Sequence, residues 1–524
     1  MKKFLSIPLF LCAVSAVAQN TYMNEQLLNN SEDVIGTSRF VGMGGAMGAL
    51  GADLSVISWN PAGIGLFRKN DASLTFGGLW GKNSIKEESR GAATFDQIGV
   101  VFNLRTESDV CPYINFGFNY QKKKNFLSNF YADNNNLYGI SQMDQLAEMA
   151  TAGLDTRWNL TGLALNNEFF TETIGADEKK KYHNKYYGDY NTYTHHSDGA
   201  LHSWDFNVST NIQDRAFLGL TFCVDNLSYS SWTNYFEANS YLRDNGDEVR
   251  GDYSVYNDYR INGYGFNFKL GGIVRPFESS SFRVGFAIES PTWYKLKSDV
   301  YTELFDETYM PAKFVAKSQY PYPLDFNMRT PWKFRASMGS TIGSVFAWDV
   351  DYEYADYSDM TQRYPKYDYG HSFGGVADID MNYLTNTTLK GVHTVRAGME
   401  VRPVSPLAFR VGYNFTSASY DTKGQFDQYD LNSYARDYMT STNYMITRPT
   451  HILSLGMGYK WKYFYFDLAY KIRHQKADFY AFDDTFTSSP GFGQMNPDLK
   501  DQVLYSVPLD LTRHSITCTL GIKF

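Results

Sequence analysis

This sequence is poor in cysteine and, after its first 18 residues, has no long hydrophobic run. It holds 4 cysteines in 524 residues. Cys12 lies in the apolar N-terminal stretch. Cys111, Cys223 and Cys518 are too scattered for a disulfide framework or a metal cage, so we interpret them as strand residues. A membrane helix needs about 18 consecutive apolar residues, and the mean hydropathy is only −0.40. The sequence therefore excludes a disulfide scaffold and a bundle of membrane helices.

Positive charge and catalytic motifs are also scarce. The formal net charge is −8, which argues against nucleic acid as a partner. The glycine-rich stretch 42–51 lacks the Lys-Ser/Thr of a phosphate loop, and there is no Gly-x-Ser-x-Gly elbow. We interpret the cluster His195–Asp198 as a solvated loop tip. We therefore predict no enzyme, no metal site and no cofactor; an enzyme with serine and histidine on separate strands is the open alternative.

The first 18 residues have the form of a secretory signal peptide. Lys2 and Lys3 precede an apolar stretch from Phe4 to Val14, and Ala16–Ala18 is a suitable cleavage site. We expect residues 1–18 to be removed from an exported chain. An exported membrane protein without membrane helices must satisfy its backbone hydrogen bonds as a closed β-barrel.

Alternation of apolar and polar residues supports that barrel. In Ser515–Phe524 every second residue is apolar, which places one face of a strand against lipid and the other in a wet lumen. A soluble β-sandwich also alternates, but 17% of the residues are aromatic, as two interfacial girdles require. The same pattern recurs in Ile114–Tyr120, Tyr264–Leu270, Phe282–Ile288, Leu407–Phe415 and Phe464–Ile472. We predict an all-β fold: a transmembrane antiparallel barrel of fourteen or sixteen strands in the outer membrane of a Gram-negative bacterium, with Asp349 and Asp351 setting the polarity of its lumen.

Two regions follow the signal peptide. Residues 19–70 are rich in glycine and alanine and contain the segment Trp59–Gly63 near their end. We therefore predict a compact plug, or hatch, with short helices. Residues 71–524 form the predicted barrel. Its short connections, such as Lys460–Tyr463, are periplasmic turns, and its long polar segments are extracellular loops. The long segments are Lys122–Ala200, Glu303–Arg329, Tyr357–Lys390, Ser417–Pro449 and Lys476–Pro508.

The first long loop contains an amphipathic stretch. Ser141 and Asp144 form a capping box ahead of apolar residues at helical spacing. So much apolar surface in a loop either packs on the barrel rim or collects hydrophobic ligands, and both interpretations stay open. The candidate ligand-binding residues are Leu146, Met149, Leu154, Trp158, Leu163 and Phe170.

The hatch motifs point to a family. Phe40–Ala46, Ala49–Asp53 and Ser58–Gly63, taken in order, resemble the plug of outer-membrane transporters for long-chain fatty acids and other hydrophobic compounds. Thr330–Phe334 is similar to a second signature of that family, and Arg396–Glu400 to part of a later hairpin. Together with the terminal phenylalanine, the resemblance spans the chain. The hatch and gate residues that it implies are Gly42, Gly44, Gly45, Asn60, Pro61 and Ala62.

The resemblance also implies a barrel of about 14 strands and a function. Members of that family catch an apolar ligand outside the cell, pass it to an interior pocket and release it through the wall when the hatch shifts. The expected partners are a hydrophobic small-molecule ligand, outer-membrane lipid, and the barrel assembly machinery, which would recognise Phe524; nucleic acid is not expected, and the chain is expected to be a monomer. The alternative is a barrel subunit that binds or shuttles proteins in a secretion system, for which the tyrosine-rich segment Tyr182–Tyr193 is suited.

Overall fold

A computed structural model describes residues 33–82, 90–155, 157–175, 178–184, 186–242, 247–308, 313–319, 322–364, 375–421, 440–484, 487 and 499–524. The predicted signal peptide, residues 1–18, lies outside the described residues, as does the first part of the predicted hatch. No helix among the described residues is long and apolar enough to cross a membrane.

The described chain forms a closed antiparallel barrel, which confirms the predicted architecture. Fourteen segments make up the barrel wall, and we call each of them a stave, because some consist of two or three successive strands. The strands are β1 Asp71–Lys82, β2 Arg90–Arg105, β3 Tyr113–Asn125, β4 Ser128–Asn134, β5 Phe170–Ile174, β6 Lys180–Asn184, β7 Tyr187–Ile212, β8 Ala216–Leu242, β9 Glu248–Arg250, β10 Tyr253–Val274, β11 Arg283–Glu289, β12 Trp293–Asp306, β13 Lys313–Gln319, β14 Leu324–Arg329, β15 Lys333–Ile342, β16 Phe346–Asp356, β17 Thr361–Tyr364, β18 Val376–Ala377, β19 Gly391–Val401, β20 Leu407–Thr416, β21 Tyr444–Trp461, β22 Phe464–Tyr480 and β23 Val507–Lys523. The staves are β1, β2, β3 with β4, β7, β8, β10, β11 with β12, β13 to β15, β16 with β17, β19, β20, β21, β22 and β23.

The barrel closes where its first and last strands meet. β1 pairs with β23 from Asp71 opposite Lys523 to Lys82 opposite Thr512. Along β20 and β23 exposed apolar residues alternate with buried ones, so the outer face is an apolar band while the inner face packs on material inside the barrel. A closed barrel with an apolar outer band is the form in which strands cross a membrane. The protein is therefore an outer-membrane barrel, with its long connections on the extracellular side.

Two neighbouring staves are interrupted at the same level. Ser290–Thr292 separates β11 from β12, and Thr330–Trp332 separates β14 from β15. Each break contains a proline, which cannot donate to the ladder. Side chains and carbonyls replace part of the ladder there, because Thr292 N–H donates to Thr330 Oγ1 (2.7 Å) and Thr330 N–H donates to Thr292 O (3.1 Å).

The lumen is filled by residues 33–70. This hatch contains helix α1 (Ser38–Gly42) and two 3₁₀ helices, Leu54–Ser58 and Pro61–Leu66. Asn60 caps the second 3₁₀ helix, because Asn60 Oδ1 accepts from Ala62 N–H (3.2 Å). The Asn-Pro pair thus begins a helical turn as well as following one.

An extracellular head sits above the barrel. Its helices are α2 (Gln142–Thr151), α3 (Leu160–Asn166) and α4 (Ile379–Thr388), and β5 pairs with β6 as a separate hairpin.

Two local interpretations of the sequence are wrong. His195–Asp198 is not a loop tip but part of β7, with His195 buried on the inner face, because β7 and β8 continue as a paired ribbon beyond the membrane. Cys111 lies in the turn before β3, whereas Cys223 and Cys518 are strand residues.

Candidate functional site

Glycines of the hatch pack against glycines of the barrel wall. A Cβ on Gly42 would lie 3.0 Å from Gly456 Cα, and a Cβ on Gly412 would lie 2.1 Å from Gly44 N. Gly44 also has φ +65°, a conformation that side-chain-bearing residues rarely adopt. The hatch and strands β20 and β21 therefore approach at backbone distance, which larger residues would prevent.

The turn Asn60–Ala62 lies in close contact with three more glycines of the barrel wall. A Cβ would lie 2.3 Å from the backbone of the turn if added at Gly219, and 2.1 Å from Asn60 Oδ1 if added at Gly271. At Gly285 it would lie 2.9 Å from Asn60 Nδ2. Gly219, Gly271 and Gly285 lie on the adjacent strands β8, β10 and β11, and we call them the glycine window. Here the hatch is separated from the outside of the barrel by one layer of backbone.

An apolar recess of about 810 Å³ lies on the outer face of the same wall. Its apolar side chains come from β7, β8, β10, β11, β15 and β16, and they include Leu218, Leu220, Leu270, Phe286, Ile288 and Phe334. These side chains lie on the lipid-facing side of the barrel, where Leu218, Leu270 and Phe286 are 52%, 48% and 60% accessible. The recess and the Asn60–Ala62 turn thus lie on opposite sides of the glycine window.

Two carboxylates of β16 hold the hatch loop before this turn. Asp349 accepts from the amides of Ala49 (3.0 Å) and Leu50 (2.6 Å). Asp351 accepts from the amides of Met47 and Gly48 (3.2 Å each) and from Trp59 Nε1 (2.9 Å). These side chains therefore anchor the hatch, and their effect on the polarity of the lumen stays a prediction.

Trp59 lies between two guanidinium groups. The Arg396 and Arg335 guanidinium carbons lie 3.5 Å and 4.1 Å from the centre of its ring, within the range of cation–π attraction. Arg335 also donates to Trp59 O (3.2 Å), and a Cβ placed on Gly45 would lie 3.3 Å from Arg396 Cδ. Lys269 Nζ donates to Ser58 O (2.7 Å). The residues just before the Asn60–Ala62 turn are thus fixed to three different strands.

The first described hatch residues also form ion pairs with the wall. Asp33 contacts Lys471 Nζ at 2.8 Å, and Arg39 Nε contacts Glu400 Oε2 at 3.0 Å. Charged groups inside a protein are stable only when they are paired and hydrogen-bonded. Each charge that the hatch brings into the barrel here therefore meets its counter-charge on a strand.

Helix α2 of the head begins as the sequence predicts. Ser141 Oγ accepts from Met143 N–H (3.0 Å) and Asp144 Oδ2 accepts from Ser141 N–H (2.9 Å), which confirms the capping box. Glu237 of β8 adds a second acceptor for the helix start, because it accepts from Gln142 N–H (3.0 Å) and from Ser141 Oγ. Burial raises the pKa of Asp144 well above that of an ordinary aspartate.

The six candidate ligand-binding residues all lie in this head. Leu146, Met149, Leu154 and Leu163 are buried, while Trp158 and Phe170 are half-buried. Helix α2 is also tied to two other loops, because Gln142 Nε2 donates to Thr442 Oγ1 (2.7 Å) and Asp483 N–H donates to Gln145 Oε1 (3.1 Å). These residues form the core of the head in this conformation, and their role in ligand binding stays a prediction.

The core of the head continues into the upper lumen. The apolar cluster that contains Leu146 also contains Leu227, Tyr294 and Leu296 on the inner faces of β8 and β12. It ends at a layer of charged side chains, where Tyr294 donates to Asp225 (2.9 Å) and Lys123 Nζ contacts the same carboxylate (2.7 Å). Below this layer lies the separate apolar cluster of the hatch.

Sequence reasoning missed the glycine window, and it placed Asp349 and Asp351 in the lumen without recognising that they anchor the hatch. Both leave a sequence signal: Gly219, Gly271, Gly285, Asp349 and Asp351 all occur at inward positions of alternating strands. Small or acidic residues at inward positions show that something approaches the wall closely. They do not show which segment approaches, because the contacts join residues about 160 to 300 positions apart along the chain.

Comparison with known proteins finds similarity in structure alone. No family model and no curated protein sequence matches the chain. The crystal structure of a Pseudomonas aeruginosa FadL homologue matches with a TM-score of 0.51 and 11% identity, over 94% of this chain and 100% of that one. The Ralstonia pickettii toluene transporter TbuX (TM-score 0.46, 12% identity, 94% and 99% covered) and the Pseudomonas putida toluene transporter TodX (0.47, 11%, 94% and 99%) are also similar. The first match confirms, at the level of the fold, the family resemblance predicted from the hatch motifs.

Proposed function

We propose that this protein takes up hydrophobic small molecules across the outer membrane by passive, hatch-gated transfer. The observation that carries the proposal is the position of the Asn60–Ala62 turn, which covers the glycine window from inside while an apolar recess lies outside it. A shift of this turn would uncover the window from inside; because Gly271 is laddered to Gly219 and to Ala287, passage to the lipid-facing recess also requires these strands to part. The shared fold of the FadL homologue supports the proposal.

The capture step is assigned to the head. Leu146, Met149, Leu154, Trp158, Leu163 and Phe170 are the proposed contacts for an apolar ligand. Because α2 is held by Glu237, Thr442 and Asp483, a ligand must displace part of this packing. The continuous apolar cluster below then offers the ligand a path to the upper lumen, and each buried CH₂ contributes about 0.8 kcal/mol.

The release step is assigned to the glycine window. A ligand that passes there enters the membrane without returning to water, so the transfer needs no coupled energy source. The glycines Gly42, Gly44 and Gly45 would let the hatch slide against β20 and β21 without side-chain interlock. Asn60, Pro61 and Ala62 are the proposed gate.

Long-chain fatty acids are the proposed substrate class. The test is uptake of a radiolabelled long-chain fatty acid, with radiolabelled toluene as a second probe, by cells that lack their own transporters. Wild type is compared with Asn60→Ala and with Leu146→Asp/Met149→Asp at equal surface levels. We expect uptake by the wild type, faster uptake by Asn60→Ala, because the gate turn loses the two side-chain bonds that keep it closed, and loss of uptake by Leu146→Asp/Met149→Asp, because charge enters the capture site.

Matched controls separate function from folding. Asn382→Ala removes a comparable amide network in the head, where Asn382 bonds the backbone of Gln362. Ile174→Asp/Ile379→Asp adds two charges at head residues that are 75% and 76% exposed. Both controls should transport normally. Uptake of toluene alone would reject fatty acids as the substrate, and uptake of neither probe by a folded wild-type barrel would favour the protein-shuttle alternative.

A further inference from the structure

Among the residues that the structure describes, four tyrosine–histidine pairs lie on the outer face of the barrel. In each pair the phenol oxygen hydrogen-bonds the imidazole Nδ1, at 2.7 to 2.8 Å. The pairs are Tyr120 with His202, Tyr352 with His393, Tyr413 with His451, and Tyr470 with His514. We call these eight residues the Tyr–His belt; they include four of the 9 histidines of the chain.

The four pairs have the same geometry. Each tyrosine lies on a strand that rises from the periplasm, and its histidine lies on the next stave, which returns. The histidine is always two positions nearer the extracellular side than the residue directly opposite the tyrosine; for example, Tyr413 faces Leu453 and bonds His451. The pairs join the staves β3 and β7, β16 and β19, β20 and β21, and β22 and β23.

The belt lies at one level of the barrel. Tyr120 is the eighth residue of β3, and the other three tyrosines are the seventh residues of their strands. The histidines lie eight to ten residues from the periplasmic ends of theirs. With a rise of about 3.3 Å per residue and a tilt of about 40°, that distance is about 20–25 Å along the membrane normal. The histidines therefore lie at the extracellular edge of an apolar band about 25 Å high, and the tyrosines, six or seven residues above the periplasmic ends of their strands, lie about 15–18 Å up, just below that edge.

Outward residues on the two sides of the belt agree with this level. Below it the outer face is apolar, as at Leu455 and Ile516. Above it the same strands carry charge, as at Lys476 and in the pair of His474 with Asp510 (3.1 Å). The belt therefore separates the acyl-chain region from the headgroup region of the outer leaflet.

A general aromatic girdle needs only amphipathic rings such as tyrosine and tryptophan, and it gives no reason for histidine in all four partner positions. In each pair Nδ1 is engaged by the tyrosine, which orients the ring and leaves Nε2 as its second polar atom. Imidazole N–H groups at headgroup level are suited to donate to anionic phosphate oxygens. We propose that the Tyr–His belt binds the phosphate groups of the glycolipid in the outer leaflet.

The test is native mass spectrometry of the full chain in detergent micelles with added lipid A. The probes are diphosphoryl lipid A, the same lipid without its phosphates, and inorganic phosphate. We expect the wild type to prefer the diphosphoryl form. The variant His202→Phe/His393→Phe/His451→Phe/His514→Phe should bind it about tenfold more weakly or worse, since about tenfold corresponds to one hydrogen bond to a charged group. His183→Phe is the matched control, because His183 lies on the exposed β5–β6 hairpin, bonded to Thr173, and should bind as the wild type does.

Folding of each variant is checked by its heat-modifiable migration on gels. If the fourfold variant does not fold, the double variant His451→Phe/His514→Phe replaces it, with a loss of about tenfold still expected. Equal binding of lipid A by wild type and the folded variant would overturn the proposal. So would equal binding of the two lipids by the wild type, or displacement of the lipid by inorganic phosphate at similar concentrations, which would indicate a free-anion site.

Discussion

Adding one methyl group at the glycine window should displace the gate. In Gly271→Ala the new Cβ would lie 2.1 Å from Asn60 Oδ1 and 3.0 Å from Ala62 N, whereas favourable heavy-atom contacts begin at about 3.5 Å, so the Asn60 side chain must move by about 1.4 Å and the turn backbone by about 0.5 Å. The wall cannot yield as easily, because Gly271 is laddered to Gly219 on one side and to Ala287 on the other.

The free energy of this displacement follows from the hydrogen bonds that the turn must break. Asn60 Nδ2 donates to Gly48 O (2.8 Å) and Asn60 Oδ1 accepts from Ala62 N–H (3.2 Å). A shift of about 1.4 Å breaks both bonds, at about 1 kcal/mol each. Overpacking adds about 1–3 kcal/mol. The closed position of the turn should therefore be destabilised by about 3–5 kcal/mol.

The assay is amide hydrogen exchange of residues 60–66, combined with single-channel conductance in planar bilayers. Gly271→Ala should exchange faster in this segment and show more frequent openings, while the barrel amides stay protected. Gly272→Ala is the matched control: its Cβ points outward, and the nearest atom, Leu218 Cδ2, would be 3.7 Å away. Unchanged exchange in Gly271→Ala, or the same change in Gly272→Ala, would refute the role of the window.

Three other predictions concern the side chains that hold the hatch and the start of helix α2. Asp351→Asn should speed exchange of the Met47 and Gly48 amides, because one of the two charged acceptor oxygens becomes an NH₂ donor at a loss of about 2–3 kcal/mol; unchanged protection would show that the hatch is held elsewhere. Ser141→Ala should destabilise α2 by about 1 kcal/mol, as measured by exchange across 142–151, and a neutral result would reject the cap. Since burial raises the pKa of Asp144 above its unfolded value, stability of the head should fall as pH rises through the interval between the two values. Asp144→Asn should remove that slope in urea titrations at pH 4 to 8, and a slope kept in the variant would assign it to another group.

The length of the extracellular structure shows where sequence patterns are insufficient. Alternation in β20, β22 and β23 predicts membrane strands because one face is apolar. In β7 and β8 the alternation continues above the membrane with polar residues outside, so the sequence around His195 has the polarity of a loop although it forms a ribbon. The helical spacing behind Ser141 is recognisable because capping is local. Its burial on all sides depends on loops that reach α2 from 300 or more residues further along the chain.

The sequence by itself determined the period-two strands, the hatch motifs and the capped helix of the head. Each of these depends on neighbours within a few residues, so the residue order is sufficient to reveal it. Only the tertiary structure decided that Asn60–Ala62 covers Gly219, Gly271 and Gly285, that Asp349 and Asp351 hold the hatch, and that four tyrosines meet four histidines at one level. Those contacts arise from barrel closure and register, which join segments far apart in the chain, and no local pattern specifies such pairings.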